Sequence, residues 1–376
     1  MLLGRTQNNI FSKWFWQNDK TLMICTFLLL CSGLILVITA SPFVAMRIGI
    51  DWFYFIKNHL VYCVLSLGII FFLSLLNKDQ IIKLSFMGMI ISLLLMIGII
   101  AFGVEINGSK RWLYLLGFSF QPSEMMKVFF PVCFSFIWQY FNEHKRNKLS
   151  IYLILLILYI VIISLLFLQP DIGMLVLVTL VFTLLLFLTG ISFVWILLLT
   201  LVTIFLLVTS YFVFPHVNYR LNNFLFEEKS YQVSRANDSI ASGKIFGKGA
   251  GQGVIKEYLP DSHTDFIFAV AAEEFGLVFN LFLVYLYFML IYRCYKIANK
   301  QEDPFKVLII SGLSGILGFQ AIIHIASNVN LIPTKGMTLP FISYGGSSLI
   351  SAAILIGLIF ALTKKEISLL KVKNKK

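Results

Sequence analysis

Asp265 closes a polar stretch running from 215 to 265 and stands one position ahead of a long apolar run. A carboxylate so placed has two chemistries open to it. Partial desolvation beside a membrane raises its proton affinity, and a carboxylate of raised pKa is a general base able to take a proton from a hydroxyl. The same position, just before a helix, suits an N-cap that binds backbone N–H groups. His263 and Thr264, immediately upstream, either orient Asp265 and what it acts on or serve as plain turn residues. Lys110, Arg111, Arg220 and Lys335 form a second set, each lying in or beside a polar connection between apolar runs. Cations there bind phosphate groups, in a substrate or in lipid headgroups. The segment Ser343-Tyr-Gly-Gly-Ser-Ser348 opens the last apolar run, so Ser343, Gly345 and Gly346 either offer free N–H groups to a phosphate or cap and pack a helix.

The elements that must hold these residues are membrane helices. Of 376 residues, 59% are hydrophobic and 13% charged, with a mean hydropathy of +0.88. A soluble domain carries roughly 25% charged residues. Ten apolar segments, 21–40, 57–76, 84–103, 124–141, 151–168, 172–189, 193–214, 266–292, 306–328 and 345–363, approach or reach the length needed to cross a hydrocarbon core. They are apolar on every side, where barrel strands would alternate. The expected fold class is an all-α integral membrane protein of about ten transmembrane helices, forming one polytopic domain over 1–376. The first run is long for a secretory signal and is read as a retained span.

Basic residues at Arg5, Lys13, Lys20, Lys78 and Lys83, and in 145–148, 293–306 and 364–376, fall on one side, which the positive-inside rule makes cytoplasmic. Both termini are then cytoplasmic, and the long loop 215–265 between spans 7 and 8 is extracytoplasmic. Lys110, Arg111, Arg220 and Lys335 lie on that outer side, where the rule disfavours them. The net charge of +12 is spread over short loops and the tail without an aromatic-interleaved stripe, so it reflects topology rather than nucleic-acid binding. Cys25, Cys31, Cys63, Cys133 and Cys294 lie in or beside apolar runs without metal-type spacing and read as packing residues.

Glu124, Lys127, Asp171, Glu273 and Glu274 are ionisable residues within or at the ends of spans, where charge is costly and faces a partner or a cavity. Glu124 and Lys127, three apart, are placed to pair with each other. Gln320, His324 and Asn328 recur at a spacing of four and read as interhelical hydrogen-bond donors and acceptors. The glycine-rich segment 243–253 lacks the preceding strand and the Lys-Ser/Thr ending of a nucleotide loop, and reads as a flexible turn between two short amphipathic helices.

The polar stretches Lys110-Arg-Trp-Leu113 with Phe120-Gln-Pro-Ser-Glu-Met-Met-Lys127, Gln169-Pro-Asp-Ile-Gly173, Leu259-Pro-Asp-Ser-His-Thr-Asp-Phe266 with Ala272-Glu-Glu-Phe-Gly276, and Pro333-Thr-Lys-Gly-Met-Thr338 through Ser348 are too polar for a membrane setting. Together they resemble the signature segments of the SEDS family (shape, elongation, division, sporulation), the FtsW/RodA group. The likeness runs over essentially the entire chain. Thr334-Lys335-Gly336, Ser41-Pro-Phe-Val-Ala45 and Asp51-Trp-Phe-Tyr-Phe-Ile-Lys57 are more similar to its cell-division branch. The stretch from Tyr231 keeps the family's Tyr-Gln start but departs from it at Arg235 and Asp238.

The resemblance implies a peptidoglycan glycosyltransferase that extends β-1,4 glycan strands from lipid II at the outer face of the bacterial cytoplasmic (inner) membrane, at the division septum. It implies that Asp265, the aspartate of the His-Thr-Asp-Phe motif, is catalytic. It also implies as partners a class B penicillin-binding transpeptidase and other division proteins, beside the membrane lipids. Pyrophosphate leaves without protonation, so one base and a set of cations suffice, and the carboxylate pair of a glycosidase is unnecessary. No ligand cluster stands out for Mg or Mn, and whether such a cation accompanies the pyrophosphate stays open. The competing reading is a lipid II transporter, which would place its charges near the bilayer midplane between inverted repeats.

Overall fold

The computed structural model describes residues 10–103, 105, 109–115, 118–145, 147–226 and 231–364. A short helix, α1 (Ile10–Gln17), lies ahead of α2 (Lys20–Arg47), α3 (Tyr54–Ser74) and α4 (Lys78–Phe102). A hairpin of β1 (Leu113–Leu115) and β2 (Phe118–Phe120) leads into α5 (Pro122–Glu143), α6 (Lys148–Leu168), α7 (Ile172–Leu188) and α8 (Phe193–Val213). The long loop holds α9 (Pro215–Leu225), α10 (Tyr231–Gly243) and a 3-10 turn, Ile255–Glu257. The chain ends in α11 (Ile267–Ala298), α12 (Pro304–Asn328) and α13 (Gly346–Thr363).

Every one of the ten apolar segments is therefore helical, and eight of these helices are long and apolar enough to cross a membrane. The other two are α7, with 17 residues, and α5, which carries Glu124 and Lys127 near its start. The chain is a multi-pass membrane protein. The hairpin, antiparallel with Leu113 opposite Phe120, is a small β addition to the expected all-helical fold.

Burial is uneven. In α12 and α13 the most apolar stretch is 72% and 78% buried, whereas in α8 it is 11% buried. α13 packs closely on α3 because small residues face that helix. A side chain on Gly346, for example, would run into the ring of Tyr62 on α3. α8 touches chiefly α7 and α9. Asp19 caps α2 by accepting N–H groups from Thr21 and Leu22 at 3.1 and 3.3 Å, and also takes Arg293 of α11 at 2.6 Å.

The eighth span departs from a plain helix. Gly276, with φ 78° and ψ −177°, breaks α11 into a largely buried first segment and a longer second one. A break exposes backbone groups that lipid cannot satisfy, and the glycine-rich segment satisfies them. Lys248 and Gly249 donate N–H groups to the carbonyls of Glu273 and Glu274, both at 2.9 Å, while Leu277 and Val278 donate to Lys244 and Ile245 at 3.0 and 3.2 Å. Contrary to expectation, 243–253 is a fitted collar around the break rather than a flexible turn. Its fit demands glycine: a Cβ on Gly276 would strike the carbonyl of Ile245, and one on Gly243 the carbonyl of Ala272.

Candidate active site

A polar cavity of about 130 Å³ is lined by Asp261, Asp265, Arg220, Gln232, Ser327 and Lys335 with neighbouring loop residues. A second, mainly apolar cavity of about 210 Å³ shares Arg220, Thr334 and Lys335 with it, and adds Arg111 among residues of α7, α8 and α9. Three cations thus stand where a polar chamber meets an apolar one.

Each wall is held by hydrogen bonds that the sequence makes possible. Asp261 takes a left-handed conformation, φ 53°, after Pro260. Its carbonyl accepts N–H groups from Thr264, Asp265 and Phe266 at 3.0–3.2 Å, winding the turn that presents Asp265. Asn328, the last residue of α12, donates to the Asp265 carbonyl at 2.8 Å and accepts the N–H of Ala269 at 3.2 Å. The connection from α12 to α13, which carries Lys335, is tied to the same helix. His324 Nδ1 donates to the Met337 carbonyl at 2.7 Å, and Gln320 to that of Thr338 at 2.9 Å. Gly336 lies over the Asp265 carboxylate, where a Cβ would sit 3.5 Å from its Oδ2. Arg220 reaches the Thr334 carbonyl at 3.5 Å. Arg111 is fixed by Asp171 at 3.4 Å, and Asp171 in turn caps α7 through Met174 N–H at 3.3 Å and accepts Gln121 at 3.0 Å.

Asp265 caps nothing: the N-cap of α11 is Phe266, without a side-chain bond. Among the described residues, its carboxylate takes part in no hydrogen bond or ion pair of ordinary length, although Arg220 shares its cavity. Burial, and then the like charge of Asp261, push its pKa up to about 7, against the opposing pull of Arg220 and Arg111. Asp261 is itself raised by burial, with Arg47 and Arg220 pulling it down. Burial and the neighbouring Arg111 lower Arg220, and burial lowers Lys335. The site is therefore a poorly solvated group of charges in which Arg111 is paired with Asp171 and burial raises the Asp265 carboxyl toward neutrality.

Residues 19–367 match the profile of the FtsW/RodA/SpoVE group of cell cycle proteins. The chain belongs to this family. It is similar to a Caulobacter vibrioides protein named probable peptidoglycan glycosyltransferase FtsW, with 38% identity across 96% of this chain and 93% of that one. A protein of the same name from Wigglesworthia glossinidia brevipalpis is 34% identical over 89% and 90% of the two chains. Among solved structures, the fold is similar to a chain described in work on coordination of polymerization and crosslinking by a peptidoglycan synthase complex. That match has a TM-score of 0.75 and 25% identity, covering 92% of this chain and 97% of that one. The rod shape determining protein RodA of Thermus thermophilus gives 0.70 and 26%, covering 92% and 96%.

In this FtsW/RodA family member the polar residues expected at the site separate into those that line it and those that brace it. Asp265, Arg111, Arg220 and Lys335 line the two cavities; Lys110, half-buried, lines neither. His263 turns away to pack its ring against Phe55 and Tyr344, centroids 4.5 and 5.3 Å apart, and burial holds its pKa down at about 4. Thr264 donates its hydroxyl to the Asp261 carbonyl at 3.2 Å and so closes the turn. Ser343 donates to the Thr264 carbonyl at 2.6 Å, and Gly345 and Gly346 form the close-packed start of α13, in keeping with the capping and packing reading of that segment. Those three residues join the base-bearing turn to the last helix.

Glu124 and Lys127 pair at 2.5 Å, and Lys127 also bonds Gln320 at 2.8 Å while Ser351 bonds Glu124 at 2.8 Å. Glu273 accepts Lys248, Ser239 and the N–H groups of Val254, Ile255 and Lys256, all within 3.0 Å, and Glu274 pairs with the fully buried Lys256. Arg235 and Asp238 pair with each other on the exposed side of α10, leaving Gln232 to line the cavity. Sequence reasoning missed Asp261, Gln232 and Ser327. The Pro260-Asp261-Ser262 run is a turn signal that would have drawn attention to the first.

Proposed function

We propose that this chain is a peptidoglycan glycosyltransferase that polymerises lipid II at the outer face of the bacterial cytoplasmic membrane, at the septum. The observation that carries the reading is Asp265: a recessed carboxylate with a pKa of about 7, in one cavity with Arg220 and Lys335, in a chain of the FtsW/RodA family. The ten helices each cross the bilayer, both termini are cytoplasmic, and the loop containing α9 and α10 faces outward.

Asp265 accepts the proton of the acceptor sugar hydroxyl as that oxygen attacks the donor's anomeric carbon. The carbon–oxygen bond to pyrophosphate breaks on the opposite face, inverting the linkage. Arg220, Lys335 and Arg111 take the charge that builds on the departing pyrophosphate, in surroundings where low solvation strengthens the interaction. The apolar second cavity, directly beyond these cations, suits the first prenyl units of the lipid carrier. Among the described residues no three metal-ligating side chains gather. The step is derived from the protein's own cations; a Mg2+ or Mn2+ ion arriving with the pyrophosphate would find Asp261 and Asp265 as its carboxylates in the cavity. A class B penicillin-binding transpeptidase is the proposed partner, in keeping with the solved chain of similar fold described in work on a synthase complex.

The test is glycan-chain synthesis from purified lipid II by the chain reconstituted with its cognate transpeptidase, comparing wild type with Asp265→Ala and Asp265→Asn. Polymer from wild type alone supports the reading. Equal polymer from all three removes Asp265 from the chemistry, and lipid II crossing the bilayer without polymer, beside an active control polymerase, favours a transporter.

A further inference from the structure

The cytoplasmic half of α8 stands away from the body. Only Leu199 and Ser210 of its 21 residues are buried. Between this half, α6 and the back wall formed by α7 lies a cavity of about 320 Å³, lined by Leu149, Leu156, Phe182, Leu186, Trp195 and Leu199 among other residues. Its lining is almost wholly apolar, and the hydroxyl of Tyr159, at the deep end, already shares a hydrogen bond with Thr179 at 2.8 Å. Water needs several polar partners to occupy such a space, so hydrocarbon is the filling that suits it. The end of the cavity at Leu149 adjoins the start of α6, where Lys145 and Lys148 are exposed, with Glu143 as the one opposing charge among the described residues there. Trp195 is half exposed, and its indole suits the headgroup boundary.

We infer that the wedge between α6 and α8 binds an anionic phospholipid of the cytoplasmic leaflet, with an acyl chain between the helices and the headgroup at Lys145 and Lys148. The leaflet assignment rests on the orientation proposed above; occupancy and headgroup preference do not depend on catalysis. The site bears on the active centre through continuity of the chain. α8 passes through Phe214 directly into α9, which carries Arg220, so a lipid that braces α8 also braces that cation.

The full-length chain is placed in nanodiscs of phosphatidylcholine doped with phosphatidylglycerol or phosphatidylcholine bearing brominated chains. Quenching assigned to Trp195 is the difference between wild type and Trp195→Phe. The expected result is stronger quenching by the anionic probe, with apparent affinity raised about fivefold per lysine at low salt. Lys145→Gln with Lys148→Gln should abolish the preference, and Leu199→Phe, which narrows the wedge, should weaken quenching by both probes. Equal quenching by the two headgroups, no quenching at Trp195, or a preference that survives the lysine substitutions would each overturn the inference. Because the readout is fluorescence, it stands or falls separately from polymerase activity.

Discussion

At the scale of single residues, function and stability pull Asp265 in opposite directions. Asp265→Asn should lower polymerisation of lipid II by about 10²–10⁴-fold, the usual contribution of a general base. The catalyst must be deprotonated, so activity should rise with pH through about 7 and fall roughly tenfold per unit below it. Asp261→Asn removes a like charge and should move that limb to lower pH, while Arg220→Gln removes a compensating cation and should move it higher. Folding raises the carboxyl from 3.8 to about 7, so the folded chain holds the proton more tightly than the unfolded one. Stability contributed by this group is therefore greatest below the unfolded value and is lost as pH rises from about 4 to 7. At pH 8 Asp265→Asn should unfold no earlier than wild type in a thermal scan, even though it is inactive. A variant that is both inactive and much less stable would place Asp265 in the framework instead.

At the scale of elements, the broken α11 and its collar depend on a few buried groups. Gly276→Ala forces a side chain into the Ile245 carbonyl at a left-handed position. It should destabilise the fold, seen as earlier loss of monodisperse protein on heating in detergent. Lys256 and Glu274 are both fully buried. Lys256→Met leaves an uncompensated carboxylate and should cost about 3–5 kcal/mol, much of it recovered when Glu274→Leu is added. These elements show where sequence reading ran out. The helices themselves were legible because lipid demands long apolar runs, Arg220 and Lys335 because cations in connections that the positive-inside rule disfavours need a reason, and Asp265 because it ends the long polar loop within a family motif. The collar was not: its glycines answer to carbonyls of Ala272 and Glu274 more than twenty residues away, a distance at which local patterning is silent. His263, Ser343 and Gly346 kept two readings for a related reason, since hydrogen bonds and packing to distant helices use the same letters as a phosphate site.

At the scale of the whole molecule, the helices differ in how much of their surface is spoken for. The central helices α12 and α13 are enclosed on most sides, while α8 leaves most of its surface uncovered by the rest of the chain. That difference translates into mutational tolerance. In a saturating substitution library selected for growth that depends on this chain, α8 should accept almost any exchange among Leu, Ile, Val and Phe at positions that line neither cavity, such as Leu197, Leu201 and Phe205, because hydrocarbon solvates each alike. α13 should reject even Gly357→Ala, whose added methyl meets Leu73. Across diverged relatives the same asymmetry predicts that α8 drifts fastest of the apolar helices, a helix whose composition is under selection while its spelling is not.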